Sequence, residues 1–358
     1  MRKKVCVIFG GISSEHEVSL LSATSVLSNI PADQYDVVML GITKSGCWLS
    51  YRGPVAALAD GSWEHDPANL PAFISPDPSI HGIVYLRKGR AELERVDVVF
   101  PVLHGKGGED GTLQGLLELA EIPYVGCGVL GSAICMDKVV ADLLMDAAGI
   151  ARCEWDYMCK SDADDFDALE ARVAAKLHYP IFVKPANAGS SVGITKAHDK
   201  EELRGAIALA LRHDDRVLFE RFVDGHEVEC AVIGNAAVTS TLPGEILASK
   251  EFYDYEDKYL AGTSRVAIPA ELSPEKLCEV QSAAVRAYKL LCCTGLARAD
   301  FFVERATGKV LLNEINTLPG FTAISMYPKL MMNTGISYGE LLDRLIRLAF
   351  ERKDSLHG

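Results

Sequence analysis

The chain has 358 residues, of which 49% are hydrophobic and 24% charged, the balance of a globular protein with two or three domains. Its net charge of −13 argues against general nucleic-acid affinity, which depends on basic patches. No apolar run approaches the roughly 20 residues of a membrane span, so we expect no membrane contact. The 10 cysteines lack the paired spacings of zinc sites and follow no secretory signal, which predicts reduced thiols in the cytoplasm.

Strands and helices alternate over the first part of the chain. Apolar runs predict strands at 5–9, 37–40, 96–100 and 124–125. Helical spacing predicts helices at 13–29, 111–120 and 132–148. This alternation predicts a parallel α/β sheet in the N-terminal domain.

From about residue 150 onwards the strands become dense. Strands are predicted at 155–158, 181–184, 193–195, 217–220, 228–233, 237–241, 296–303 and 310–316. Helices are predicted at 162–176, 200–211, 274–291 and 338–350. Strands packed this closely predict antiparallel sheets with helices on one side, an α+β arrangement.

The last two predicted strands place carboxylates opposite one another. In a symmetric hairpin Asp300 lies opposite Glu314, and Arg298 lies opposite Asn316. Opposed carboxylates repel, and a hard divalent cation removes that penalty, because Asp, Glu and Asn oxygens suit Mg²⁺. The alternative is an exposed polar face on which Arg298 neutralises both acids. The same alternation puts Leu312 on the face of Glu314.

Three further segments can bind a ligand. Lys184 ends a strand, and the Gly/Ser-rich loop after it can surround a phosphate with N–H groups, although a flexible hairpin is the alternative. Glu15 and His104 follow the first and third strands, where open α/β sheets bind ligands. Glu15 there either holds a substrate ammonium or complements the dipole of the following helix. The aromatic and charged segment 251–259 is predicted to form a lid.

The segment Gly126–Gly131 matches the dinucleotide-binding pattern G-x-G-x-x-G. An NAD-dependent dehydrogenase is therefore the alternative from a different functional class. Against it, the motif lies in a late βα unit, and no second strand ends in an acid at the required distance. A tight turn with close helix packing is the competing explanation.

Together these blocks resemble the D-alanine–D-alanine ligase family of ATP-grasp enzymes. The matching stretches, in the expected order, are 9–11, 15–19, 104–105, 108–111, 136–138, 184–185, 189–194, 251–259, 298–302 and 313–322. The resemblance implies an N-terminal pre-ATP-grasp domain at 1–131, followed by two ATP-grasp lobes at 132–224 and 225–358. The fold class expected is thus α/β plus α+β.

The resemblance implies an ATP-dependent reaction for peptidoglycan precursor synthesis. ATP phosphorylates the carboxylate of one D-alanine, and the amine of a second attacks the acyl phosphate to give D-alanyl-D-alanine. Two Mg²⁺, or Mn²⁺ in their place, are expected on Asp300, Glu314 and Asn316. The nucleotide is expected to contact Lys138, Lys184, Ser191, Val192, Glu220, Glu227, Tyr253 and Asn313. Lys138 and Lys184 hold phosphates in this assignment, and Glu220 and Glu227 lie near the adenine and ribose.

The resemblance also implies which residues bind the amino-acid substrates. Glu15 holds the first ammonium and is coupled through Ser190 and Tyr259, while Arg298 and the Gly320 N–H stabilise the oxyanion. The substrate-binding residues are His104, Lys258, Ser325 and Met326, with Lys258 and Ser325 on the second carboxylate.

The second substrate is predicted to be D-alanine. Relatives of the vancomycin-resistance type that use D-lactate lack the arrangement of Tyr255, Lys258 and Tyr259 found here. Those that use D-serine commonly carry arginine after the serine matching Ser325. Here Met326 follows, and its apolar side chain cannot donate to a substrate hydroxyl. D-serine is the alternative, and a cytoplasmic homodimer acting on small molecules is expected.

Overall fold

The structure is a computed structural model that describes residues 2–189, 192–247 and 265–357. The described strands are β1 Lys3–Gly10, β2 Tyr35–Ile42, β3 Trp48–Tyr51, β4 Leu70–Ile74, β5 Gly82–Arg87, β6 Arg90–Arg95, β7 Val98–Val102, β8 Trp155–Cys159, β9 Ile181–Pro185, β10 Thr195–Ala197, β11 Arg216–Arg221, β12 Gly225–Gly234, β13 Thr239–Ser240, β14 Gly244–Leu247, β15 Arg265–Ala267, β16 Gly295–Glu304 and β17 Val310–Asn316. The described α-helices are α1 His16–Asn29, α2 Ala56–Ala59, α3 Thr112–Leu119, α4 Val129–Met136, α5 Lys138–Ala147, α6 Phe166–Leu177, α7 Lys200–Ala210, α8 Pro274–Leu290, α9 Met326–Met332 and α10 Tyr338–His357. Among them, no helix is both long and apolar enough to cross a membrane.

The first sheet has the strand order β6-β5-β4-β3-β2-β1-β7. Its β2, β1 and β7 are parallel, which confirms the parallel α/β core. The other four strands extend the sheet in antiparallel pairs and were not predicted. The edge strand β6 shows why, since almost all its residues are exposed and it carries no apolar alternation to detect.

The other two sheets are antiparallel, as the dense strands predicted. One has the order β10-β9-β11-β8, and α6 and α7 pack on it. The other has the order β15-β14-β12-β16-β17, with β13 beside β12. Alternate β12 residues face opposite layers, because Val228 packs with α8 while Ala231 packs with α9.

The single helix predicted over 132–148 is wrong, because the chain breaks it at Asp137. The Asp137 side chain accepts a hydrogen bond from Val140 N at 3.1 Å and starts α5 as its N-cap. The next residue, Lys138, donates its backbone N–H to Ala186 O at 3.1 Å. This bond ties the start of α5 to the end of β9 and brings two lysine-bearing elements together.

The hydrophobic core of the first sheet continues into the C-terminal lobe. Leu341 and Leu345 of α10 belong to the same buried cluster as Val7 of β1 and Phe321 after β17. The N-terminal sheet and the 317–325 loop are therefore packed on one another, which fixes the parts of the site that each contributes.

Candidate active site

Two adjoining clefts lie where the three sheets meet. The larger has about 1170 Å³ of empty space, and its lining includes Lys138, Lys184, Glu220, Glu227, Phe302 and Asn313. The smaller has about 820 Å³, and its lining includes Glu15, His104, Arg298, Gly320, Ser325 and Met326. Both are lined by Glu109, Gly189, Glu314 and Asn316. The clefts thus share a junction where two acids and an amide meet.

Lys184, on β9, is held inside the larger cleft by polar partners. Its Nζ forms an ion pair with Glu220 and donates to Asn313 Oδ1 at 3.3 Å. Burial alone would lower the pKa of Lys184, but the charges of Glu220 and Glu314 raise it above its ordinary value. The ammonium therefore stays charged in a cleft that would otherwise favour the neutral amine.

Lys138 lines the larger cleft as the first residue of α5. Its Nζ donates to Ala188 O at 2.7 Å and lies 3.6 Å from Glu314 Oε2. The predicted phosphate loop and the predicted metal site are thus joined through this one ammonium.

The predicted register of the β16–β17 hairpin is confirmed at its functional end. Asp300 pairs with Glu314, and Arg298 pairs with Asn316. The register then shifts, because Phe301 pairs with Leu312 and leaves Asn313 as an extra residue. This bulge lets Asn313 and Glu314 line the same cleft.

Leu312 was expected on the face of Glu314, and that prediction is wrong. The extra residue in β17 turns Leu312 to the other face, where it is 1% exposed and packs with Phe301. A symmetric hairpin cannot anticipate this, because a one-residue shift exchanges the faces of a strand.

The acids of the hairpin already have cationic partners. Arg298 binds Asp300 through two hydrogen bonds of 2.7 Å and lies 2.8 Å from Glu229 Oε2. Asn316 Nδ2 donates to Asp300 Oδ2 at 2.9 Å. Arg298 therefore pairs with Asp300, as the alternative without a metal predicts. Glu314, in contrast, faces Lys138.

The donor set of the hairpin fits a hard divalent cation. Within the described residues no group of three His, Cys, Asp or Glu side chains is placed to hold a metal. The cluster is instead two carboxylates, Asp300 and Glu314, with the amide of Asn316 beside them. Such oxygen donors suit Mg²⁺, which keeps several positions for water and phosphate oxygens.

Glu229 is a site residue that the sequence analysis missed. It lies opposite Asp300 on β12, lines the smaller cleft and contacts Arg298. The available signal was the alternation of Glu227 and Glu229 along one strand, which puts both carboxylates on one face.

Glu15 is buried at the start of α1, and two glycines make room for it. A Cβ on either Gly105 or Gly189 would meet Glu15 Oε2 at 2.5 Å, closer than any real contact. The carboxylate therefore reaches both the turn after β7 and the loop after β9. It lines the smaller cleft, where the predicted substrate ammonium would bind.

His104 lines the smaller cleft, but its ring is engaged by the protein. Its Nδ1 lies 2.9 Å from Leu318 O, and its Nε2 lies 3.2 Å from Ser22 Oγ. Because a carbonyl only accepts, Nδ1 carries the proton and Nε2 accepts from the serine. Burial lowers the pKa of His104, which favours this neutral ring.

The loop after β17 completes the smaller cleft. Ser325 immediately precedes α9, and its Oγ accepts from Thr322 N at 3.0 Å. A Cβ on Gly320 would meet that oxygen at 2.8 Å, so a side chain there would displace the Ser325 hydroxyl. Met326 is buried as the first residue of α9 and gives the cleft an apolar wall.

Several predicted site residues lie outside the described residues. They are Ser190, Ser191, Tyr253, Tyr255, Lys258 and Tyr259, together with the rest of the predicted lid. Val192 is described, and its N–H donates to Gly189 O at 3.1 Å in a turn. The residues that line the larger cleft include Gly189 and Ile194 on either side of it, but not Val192.

Two of the three glycines of the G-x-G-x-x-G segment allow close packing. A Cβ on Gly126 would meet Leu318 Cδ2 at 2.9 Å, and one on Gly131 would meet Cys292 O at 2.5 Å. Both positions face protein atoms of the C-terminal lobe, as the packing explanation predicted. The motif gives no support to a dehydrogenase.

Comparisons with known proteins agree with this geometry. Residues 4–127 match the family model for the D-ala D-ala ligase N-terminus, and 144–347 match that for the C-terminus. A D-alanine–D-alanine ligase of Acetivibrio thermocellus is 50% identical over 98% of this chain and 96% of its own. A D-alanine–D-alanine ligase from a Thermoanaerobacter species is 49% identical over 98% of this chain and 97% of its own.

Solved structures show the same likeness along the whole chain. The VanG D-Ala:D-Ser ligase of Enterococcus faecalis has a TM-score of 0.88 and 42% identity, covering 98% of this chain and 100% of its own. The D-alanine-D-alanine ligase of Coxiella burnetii has a TM-score of 0.85 and 35% identity, with coverages of 99% and 97%. The chain belongs to the D-alanine–D-alanine ligase family.

Proposed function

We propose that this protein joins two D-alanines to D-alanyl-D-alanine at the expense of ATP, for peptidoglycan precursor synthesis. The observation that carries the proposal is that Glu314, which lines both clefts, is in register with Asp300 on the neighbouring strand. Lys138 and Lys184 line the larger cleft, where Lys138 contacts Glu314 and Lys184 contacts Asn313. Cations for a triphosphate and carboxylates for its metal thus meet where a second cleft begins.

The reaction has two steps in this arrangement. A carboxylate oxygen of the first D-alanine attacks the γ-phosphorus of ATP, and ADP leaves. The amine of the second D-alanine then attacks the acyl carbon, phosphate leaves, and the amine loses a proton as the peptide bond forms. Arg298 and the Gly320 N–H are assigned to the oxyanion of the second step, because both line the smaller cleft.

The larger cleft is assigned to ATP. Lys138 and Lys184 would hold its phosphates, with Asn313 beside Lys184 and the Ser190–Gly193 flap over them. Glu220 and Glu227 would face the adenine and ribose from β11 and β12, and Tyr253 would contact the nucleotide from the lid. Two Mg²⁺ held by Asp300, Glu314 and Asn316, or Mn²⁺ instead, would neutralise charge on the transferring phosphoryl group.

The smaller cleft is assigned to the amino acids. Glu15, coupled to Ser190 and Tyr259, would hold the first ammonium. Lys258 and Ser325 would hold the second carboxylate. His104 also lines this cleft, where it is assigned to substrate binding and holds Leu318 through its Nδ1.

D-serine as second substrate is the other candidate, because a D-Ala:D-Ser ligase is a near structural neighbour. D-alanine is favoured by the apolar wall formed by Ile246, Val266, Ile324 and Met326. A serine hydroxyl against such a wall loses its water without gaining a partner. The curated relatives at about 50% identity carry the D-alanine–D-alanine name.

Three further assignments accompany the proposal. The division into 1–131, 132–224 and 225–358 is supported by the three sheets, which span 3–102, 155–221 and 225–316. A cytoplasmic location is supported by the use of ATP and by ten cysteines that all carry free thiols. A homodimer is proposed from the family resemblance, and sedimentation of the purified protein tests it.

Amino-acid-dependent release of ADP tests the function. With D-alanine alone we expect ADP and D-alanyl-D-alanine, identified by mass spectrometry, in a ratio of one to one. In competition, D-alanine is expected to exceed D-serine and D-lactate as acceptor. A mixed D-alanyl-D-serine product in excess would replace the proposal by the alternative.

A further inference from the structure

Glu109 joins two domains at the floor of the smaller cleft. Its Oε2 accepts the N–H of Gly105 at 2.7 Å, and its Oε1 accepts the N–H of Leu318 at 3.1 Å. Gly105 follows β7 of the first sheet, whereas Leu318 follows β17 and precedes Gly320 by two residues. One carboxylate thus connects the N-terminal domain to the loop assigned to the oxyanion.

This carboxylate occupies an unfavourable place. Loss of solvation and the charge of Glu15 raise the pKa of Glu109 to about 8, and Glu314 adds further repulsion. The two backbone N–H groups that Glu109 accepts act in the opposite direction and lower its pKa. Groups with strongly perturbed pKa values are common at functional sites.

The same loop is held by a chain of hydrogen bonds from the N-terminal domain. Phe321 N donates to Ser22 Oγ at 3.2 Å, Ser22 Oγ lies 3.2 Å from His104 Nε2, and His104 Nδ1 lies 2.9 Å from Leu318 O. Leu318 is therefore bound at its carbonyl by His104 and at its N–H by Glu109. Gly320 lies between the two anchored residues, Leu318 and Phe321.

We propose that Glu109 is a positioning residue that fixes the 318–320 loop, so that the Gly320 N–H points at the reacting carboxyl group. This inference rests on the proposed function, in which Gly320 stabilises the oxyanion. Glu109 contacts the loop and the glycine turn and is assigned no contact with the substrate. Glu109 acts on the position of the loop, and a displacement of the Gly320 N–H by about 1 Å would lower the rate of the reaction by roughly 100-fold.

Glu109→Gln tests the proposal. The amide keeps one acceptor oxygen but opposes one backbone N–H with its own NH₂ group, so one of the two anchors is lost. We expect kcat to fall about 100-fold while the KM for ATP stays within threefold. ADP formed per dipeptide is also expected to rise above one, because the acyl phosphate waits longer for the second step.

Gln114→Met is the matched control. Gln114 donates to Gly108 O at 2.7 Å, so the substitution weakens the same glycine turn without touching the 318–320 loop. We expect its kcat to stay within threefold of wild type. Thermal unfolding of both variants measures how far each substitution lowers the melting temperature.

Three results would overturn the inference. They are a kcat within threefold of wild type for Glu109→Gln, an equal loss in Gln114→Met, or a rise in the KM for ATP that matches the fall in kcat. If Glu109→Gln unfolds at the assay temperature, Glu109→Asp, which keeps the carboxylate on a shorter arm, is judged by the same criteria. A wild-type protein that releases no ADP with D-alanine would instead contradict the proposed function.

Discussion

Replacement of Glu314 by Gln removes one of the two carboxylates that face each other across β16 and β17. Glu314 is in register with Asp300, and its Oε2 lies 3.6 Å from Lys138 Nζ. The amide keeps the size and shape of the side chain. The substitution therefore changes charge and little else.

The effect of this substitution on stability is small, because two contacts oppose each other. The side chains of Lys138 and Glu314 are 13% and 29% exposed, and a partly exposed pair at 3.6 Å contributes at most about 1 kcal/mol. Losing it is offset by relief of the repulsion from Asp300, which is of similar size, roughly 0.2–1 kcal/mol. The free energy of unfolding should thus change by less than about 1 kcal/mol.

The effect on turnover is large by comparison. Loss of one preorganised charge at the reacting group costs roughly 10²–10³ in kcat, or about 2.7–4 kcal/mol. D-alanine-dependent ADP release measures this loss. A second readout is thermal unfolding with ADP and Mg²⁺, which should raise the melting temperature of wild type more than that of Glu314→Gln, because a ligand stabilises only the state that binds it.

Glu279→Gln is the control for this charge change. Glu279 pairs with Lys276 at 2.7 Å on α8 and belongs to the lining of neither cleft. We expect it to lose no activity and to respond to Mg²⁺ as wild type does. Near-normal turnover in a folded Glu314→Gln protein would show that the metal assignment is wrong.

Three further substitutions probe other parts of the site. Met326→Arg should raise kcat/KM for D-serine relative to D-alanine by roughly 10- to 100-fold, since a charged donor to the hydroxyl contributes roughly 1.5–3 kcal/mol. An unchanged ratio in the competition assay would remove Met326 from the acceptor site. Lys184→Met should lower the free energy of unfolding by about 3–5 kcal/mol, because Glu220 then stays buried without its ion-pair partner. In urea unfolding, the double variant with Glu220→Gln should recover part of the lost stability. If it recovers none, the broken ion pair is not the cause of the loss. His104 has a lowered pKa in the folded state, so protonation favours unfolding and stability falls as pH drops below about 6.5. In His104→Gln the free energy of unfolding should fall less steeply with decreasing pH, by up to about 1.4 kcal/mol per pH unit. The same pH dependence in the variant and the wild type would contradict a neutral buried ring.

The hairpin shows how far the sequence predicts the site. Alternation along two strands and the length of the turn between them were enough to pair Asp300 with Glu314. The bulge at Asn313 was not predictable, because its side chain is held by Lys184 from another lobe. A register shift of this kind depends on tertiary contacts that leave no local pattern.

Residues that act through their partners also escaped the sequence analysis. Glu109 lay within a glycine-rich motif, but its role depends on Leu318, 209 residues away in the chain. Glu229 became visible only once β12 was paired with β16. The helix break at Asp137 is a different case, because the sequence itself contains its signal: aspartate is a preferred N-cap residue. The apolar spacing on both sides nevertheless favoured one continuous helix.

The pairing of charges in the clefts explains how a chain of net charge −13 accommodates a triphosphate. Each of the three assigned cations among the described residues has a carboxylate beside it: Glu220 for Lys184, Glu314 for Lys138, and Asp300 with Glu229 for Arg298. Isolated cations in such clefts would lose hydration without compensation, and for lysine the neutral form would be favoured. The acids hold these three groups in place, and the charges of Glu220 and Glu314 raise the pKa of Lys184 despite its burial. The local acidity is therefore compatible with the phosphate site proposed for these lysines, because it fixes the geometry of the cations.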